Sequence, residues 1–237
     1  MSDKLLVWFG DSWVYGSGLQ GRVQNRLSSI IQDLLGLPTI NCAQPGTSVG
    51  HLLYSIRKIE RIRQWFPTKK IYAIFGLTSP YRLCIETYDG KVQTISHRNF
   101  DKEAFVDFGK DILSDHYVLK ETCVAMSWLT HECLSRKIPF RFVNILGNYN
   151  DYTKSHFSKY IDWSNWLVSP TWSMYSELFN LTDIDFSKIG LLEKTSHGKI
   201  HLKKYFLEHD TTHPNKDGHQ RLALKLYKEV DEFIQKR

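Results

Sequence analysis

The sequence predicts an α/β fold in which a mostly parallel sheet lies between two helical layers. Three observations support this. Short apolar runs of strand length alternate with segments whose apolar residues recur at helical spacing, the signature of β-α-β units. The apolar runs are continuous rather than alternating, as expected of strands buried on both faces. Blocks rich in Gly, Ser, Thr and Asn follow those runs. In a parallel sheet such blocks collect at one edge, where open α/β sheets build their sites.

The elements follow in order. Leu5 to Phe9 is the first strand, and Gly16, Gly18 and Gly21 belong to the loop after it. Val23, Leu27, Ile30, Ile31, Leu34 and Leu35 define a helix stopped by Gly36 and Pro38. Thr39 to Ala43 is a second, short strand. Ser48 is placed to cap a helix carrying Val49, Leu52, Leu53, Ile56 and Ile59, which ends before Pro67. Lys70 to Leu77 is a third strand. Tyr88 to His97 reads as a hairpin turning at Asp89-Gly90. Asp101 to Lys137 holds one long helix or two shorter ones, and Phe140 to Leu146 is a fourth strand. Leu222, Leu226, Tyr227, Val230, Phe233 and Ile234 form the stripe of a terminal helix. The chain is expected to be one domain spanning 1–237, with an aromatic-rich elaboration at about 147–209 that includes Trp163, Trp166 and Trp172.

Composition narrows the function classes. The chain has 237 residues, 42% hydrophobic and 24% charged, which is ordinary for a globular domain with a full core. The formal net charge is +6, but the longest basic runs are Lys69-Lys70 and Lys203-Lys204. Scattered charge of this kind favours acidic partners without forming a nucleic-acid footprint. Cys42, Cys84, Cys123 and Cys133 form no CxxC pair and read as reduced thiols. No signal peptide and no run of membrane-spanning length is visible, so a cytoplasmic location is expected. Asn180-Leu181-Thr182 fits a glycosylation sequon, which matters only in a secreted chain. The ten histidines include no H-E-x-x-H, and those at 197, 201, 209 and 213 lack a matching carboxylate or cysteine pattern. Gly16-Ser17-Gly18 lacks the lysine and spacing of a phosphate loop. Neither a metal nor a cofactor is expected.

Four blocks carry the chemistry: Gly10-Asp11-Ser12, then Asn41 to Ser48, then Phe75-Gly76-Leu77-Thr78-Ser79, and finally Asp210-Thr211-Thr212-His213-Pro214-Asn215. The first three fall at ends of expected strands and should converge, and the loop carrying His213 can meet them. A serine hydroxyl is a poor nucleophile until a histidine takes its proton and a carboxylate orients that histidine. Together the blocks resemble the SGNH/GDSL hydrolase family of serine esterases and deacetylases on a flavodoxin-like sheet. The resemblance leaves roughly 145–209 unmatched. It implies Ser12 as nucleophile, His213 as general base and Asp210 as its orienting carboxylate, with an oxyanion hole built from the N–H groups of Ser12 and Gly46.

One position departs from the family. Where an asparagine amide usually donates to the oxyanion, this chain has Thr78, whose hydroxyl reaches less far. Loss of one oxyanion donor costs on the order of 10²–10³ in rate, so Thr78 substitutes, or Asn148 swings in, or turnover is slow. Asp11 reads as a structural acceptor under the turn, His219 as packing at the start of the last helix, and His209 as facing solvent. Gly46-Thr47-Ser48-Val49-Gly50 also fits the nucleophile elbow of another hydrolase class. Pro45 interrupts its strand entry, and a helix cap explains Ser48 more simply.

The expected reaction is acyl transfer from a carboxylic ester through an acyl-enzyme, with turnover falling in acid as His213 takes up a proton. The expected substrate carries a short acyl group on a carbohydrate or similar small alcohol, with Trp163 and Trp166 stacking on sugar rings and Arg82 meeting an acidic group. Two other readings stay open: an acyltransferase with the same residues, and a carbohydrate-binding protein that has lost turnover.

Overall fold

A computed structural model describes residues 2–80, 82–86, 92–96, 115–146, 156–180, 196–208 and 210–236. The Asp89-Gly90 turn, the stretch 101–114, Asn148 and His209 lie outside the described residues.

Four parallel strands form the central sheet: β1 (Lys4–Phe9), β2 (Thr39–Asn41), β3 (Lys70–Leu77) and β6 (Phe140–Asn144), in the order β2-β1-β3-β6. Their registers pair Trp8 with Asn41, Phe9 with Phe75, and Leu77 with Asn144. The carboxyl ends of the strands therefore share one edge, and the first three blocks emerge there. Beyond β6 the sheet is continued by isolated parallel bridges from Phe142 to Trp166 and from Asn144 to Ser173.

Side chains alternate between the two faces of the sheet, and each face has its own core. Leu5, Val7, Phe9, Ile71, Ala73 and Phe75 face a layer made by the 3₁₀ turn Val49–Tyr54, α4 (Ser55–Trp65) and α5 (Asp115–Ser135). Leu6, Trp8, Tyr72 and Ile74 face α3 (Leu27–Leu35), α6 (Met174–Phe179) and α8 (Lys216–Gln235). This is the three-layer α/β/α sandwich expected. β1 and β3 are continuous apolar runs because both of their faces are dry.

Several elements differ in detail from the sequence reading. The helix before β2 is split into α2 (Arg22–Asn25) and α3 by Arg26, which takes an extended conformation with ψ 153°. The hairpin is β4 (Arg82–Glu86) paired antiparallel with β5 (Val92–Ser96), so it starts earlier than the expected Tyr88. After α7 (Ser196–Tyr205), the fourth block forms a strand. β8 (Asp210–Pro214) pairs antiparallel with β7 (Phe206–Leu207). No helix among the described residues is long and apolar enough to cross a membrane.

Candidate active site

Ser12 opens α1 (Ser12–Tyr15), one residue past the turn that ends β1. Gly10 makes that turn possible. Its φ of +155° is open to glycine alone, and a Cβ there would come within 2.8 Å of Val14 Cγ2. Asp11 caps α1, accepting from the Trp13 N–H at 2.9 Å. Ser12 is buried, with 5% of its surface exposed.

The second block folds onto the end of β1. Gln44 N–H donates to the Gly10 carbonyl at 3.0 Å, and the Thr47 hydroxyl lies 3.2 Å from the same oxygen. Between these two anchors sits Gly46, exposed and left-handed with φ 73°. A side chain at Gly46 would be strained by that backbone conformation rather than by contacts, since no atom lies within 4 Å of a Cβ built there.

Ser48 is buried and precedes the 3₁₀ turn. Its N–H donates to His51 Nδ1 at 3.3 Å, and its hydroxyl lies 3.1 Å from the same nitrogen. His51 thus takes the place that Glu or Gln holds in a capping box, a pairing the sequence reading missed. Burial, and then the charge of Lys58, push the His51 pKa down. A small cleft opens beside it, lined by Gly10, Cys42, Gln44, Thr47, His51 and Lys58 among others.

The third block behaves differently from expectation. Thr78 is buried, and its hydroxyl donates to Asp11 Oδ2 at 2.5 Å. A hydroxyl has one hydrogen to give, and that of Thr78 goes to the carboxylate under the Ser12 turn. Arg82, expected at an acidic substrate, sends its Nη1 back to Asp11 Oδ2 and to Thr78 Oγ1, both at 3.1 Å. The reading of Asp11 as the acceptor under the turn agrees with this geometry. The Asp11–Arg82 pairing carries no local sequence signal.

The fourth block reaches Ser12 through its neighbour. Trp13 Nε1 donates to the backbone carbonyl of Thr212 at 3.0 Å. His213 follows on the same strand, half-buried, with its Nδ1 3.2 Å from the Thr212 hydroxyl. Asp210 begins that strand; its side chain lies outside the described part of the structure. Pro214 ends the strand, and the Asn215 side chain caps α8 by accepting from Gly218 N–H at 2.9 Å. His219, in the first turn of α8, is buried and accepts from Leu27 N–H at 3.2 Å. Burial, with the charge of His213 as a second cause, pushes its pKa down to about 3.

Trp166 stands outside this constellation. It is buried, with its ring centroid 5.5 Å from that of Phe142 and 5.1 Å from that of Trp163, on which it stacks. Its faces are occupied by the core, so it offers no platform for a sugar ring. Trp163 is half-buried against the same cluster. An aromatic-rich segment has the same composition whether it fills a core or lines a site. Among the described residues, no group of three or more His, Cys, Asp or Glu could hold a metal ion.

No protein-family model matches the chain, and no curated protein matches its sequence. Solved structures do resemble it over nearly its full length. A psychrotrophic esterase from Pseudoalteromonas sp. is 12% identical, covering 98% of this chain and 99% of its own, with a TM-score of 0.48. A lipase from a goat rumen metagenome is 14% identical, covering 95% and 97%, with a TM-score of 0.46. A member of the lipolytic G-D-S-L family from Veillonella parvula is 15% identical, covering 94% and 95%, with a TM-score of 0.41.

Proposed function

We propose that this protein is a serine esterase of the SGNH/GDSL type that hydrolyses short-acyl carboxylic esters of small alcohols. The observation that carries this reading is the bond from Trp13 Nε1 to the Thr212 carbonyl. It ties the residue after Ser12 to the residue before His213, which supports reading Ser12 and His213 as a nucleophile and its base.

In the proposed mechanism His213 accepts the Ser12 proton as the hydroxyl attacks the ester carbonyl. The N–H groups of Ser12 and Gly46 receive the developing oxyanion. The tetrahedral intermediate collapses, His213 protonates the departing alcohol, and an acyl-enzyme remains. His213 then activates water, which releases the acid and restores Ser12. Asp210 orients the imidazole throughout. Thr78 takes no part as an oxyanion donor, because its hydrogen goes to Asp11. A hole with two donors in place of three predicts turnover slower by about 10²–10³ than in an esterase with a complete hole.

Turnover of p-nitrophenyl acetate by wild type, Ser12→Ala and His213→Ala tests the reading. Turnover that disappears with Ser12→Ala and drops by at least about 10³ with His213→Ala supports it. Unchanged turnover in Ser12→Ala removes Ser12 from the mechanism.

A further inference from the structure

Asp11 is fully buried and adjoins the nucleophile in sequence. A carboxylate taken out of water is costly unless it is both hydrogen-bonded and paired with a cation. Asp11 has both. Oδ1 accepts from Trp13 N–H, and Oδ2 accepts from the Thr78 hydroxyl and from Arg82 Nη1. Among the described residues, Arg82 is the one cation within ion-pair distance of it.

Arg82 is also well placed in the chain to hold the third block. It is the first residue of β4, four residues after Thr78, and its guanidinium turns back to Thr78 Oγ1 at 3.1 Å. Asp11, Thr78 and Arg82 form a closed ring of contacts that joins the nucleophile turn, the end of β3 and the root of the hairpin. Three-quarters of the Arg82 side chain is covered, with 26% exposed.

We propose that Arg82 is a positioning residue for Ser12, acting through Asp11: it cancels the buried negative charge beside the nucleophile and fixes the turn that aims the hydroxyl. This rests on the esterase reading above. Acyl transfer builds negative charge on the substrate oxygen facing the Ser12 N–H. An unpaired carboxylate one residue away opposes that charge, and a paired one does not. Arg82 is needed because residue 11 is an aspartate, and a neutral residue 11 removes the need.

The test is a double-mutant cycle on Asp11→Asn and Arg82→Gln, with Arg82→Lys alongside, read as kcat and KM for p-nitrophenyl acetate and as thermal midpoints. Arg82→Gln should lower kcat by about 10- to 100-fold with KM held within about threefold. Arg82→Lys should recover part of that loss. Adding Arg82→Gln to Asp11→Asn should change kcat by less than about threefold, because a neutral amide needs no cation. Equal losses in both backgrounds would overturn the proposal. So would a change confined to KM and seen only with a negatively charged ester, which would make Arg82 a substrate contact. Should Arg82→Gln fail to fold, the comparison of Asp11→Asn with Asp11→Asn/Arg82→Gln decides alone. Absence of Ser12-dependent turnover in wild type sinks the esterase reading instead. The melting cycle needs no turnover, and in that case additive losses in it would show that the pair itself does not operate.

Discussion

Trp13 Nε1 donates to the carbonyl oxygen of Thr212 at 3.0 Å, joining residues 199 apart in sequence. The indole is otherwise packed, 6.0 Å from the ring of Tyr175 and 5.8 Å from that of Phe206. Trp13→Phe keeps much of the packing and removes the donor. Leaving the buried side of that bond unmade should cost about 1–2 kcal/mol of stability, read as a lowered thermal midpoint. It should also cost about tenfold in kcat, because the strand carrying His213 loses its anchor to the Ser12 turn. The predicted stability loss with no change in kcat would separate the tether from the chemistry.

Ser48 and His51 make the same two residue types as a nucleophile and its base, in contact. The His51 nitrogen is the acceptor of the Ser48 N–H, as a helix cap requires. Ser48→Ala should lower stability by about 1 kcal/mol and leave ester turnover within about twofold of wild type. Loss of turnover comparable to that of Ser12→Ala would move the nucleophile to the second block.

His219 links stability to acid. Burial holds its pKa at about 3, against 6.5 for the free side chain. Between those values the unfolded chain binds a proton at residue 219 that the folded chain refuses. The contribution to stability is therefore complete above about pH 6.5 and falls by roughly 1.4 kcal/mol per pH unit as pH drops towards 3. His219→Asn keeps an acceptor for Leu27 N–H and removes the titration. Denaturant melts of the two proteins from pH 7 to 4 should show the wild type losing stability more steeply by up to that slope.

Cys133 is buried in the α5 layer, and burial pushes its thiol pKa up to about 12. The thiolate is the reactive form. Native protein at pH 8 should leave Cys133 unmodified by iodoacetamide, and unfolding in guanidinium should expose it to complete alkylation, as followed by peptide mass.

The central strands were legible because burial on both faces leaves a continuous apolar run. Lys70–Leu77 falls where its residues place it, and Leu5 to Phe9 differs from β1 by one residue. The fourth block reads as a loop in sequence because Asp210-Thr211-Thr212-His213 shows no apolar alternation. It becomes a strand through pairing with the two residues of β7, a contact no local pattern announces. Arg26 breaks a helix whose apolar spacing runs straight through it. As candidates, Ser12 and His213 stand out because their blocks are short and specific. The Asp11–Arg82 pair did not, since one partner sits 71 residues from the other and each reads alone as an ordinary charged residue. The fate of Trp166 depended on whether Phe142 lay against it, which composition does not encode.

Ser12 is proposed to be an activated nucleophile. A fluorophosphonate reacts with serines whose proton an adjacent base removes. Incubation of the native protein with such a probe, followed by peptide mass spectrometry, tests the claim directly. A single adduct should form on Ser12, absent from Ser12→Ala and strongly slowed in His213→Ala. An adduct on Ser48, or no adduct on folded wild-type protein, would contradict it.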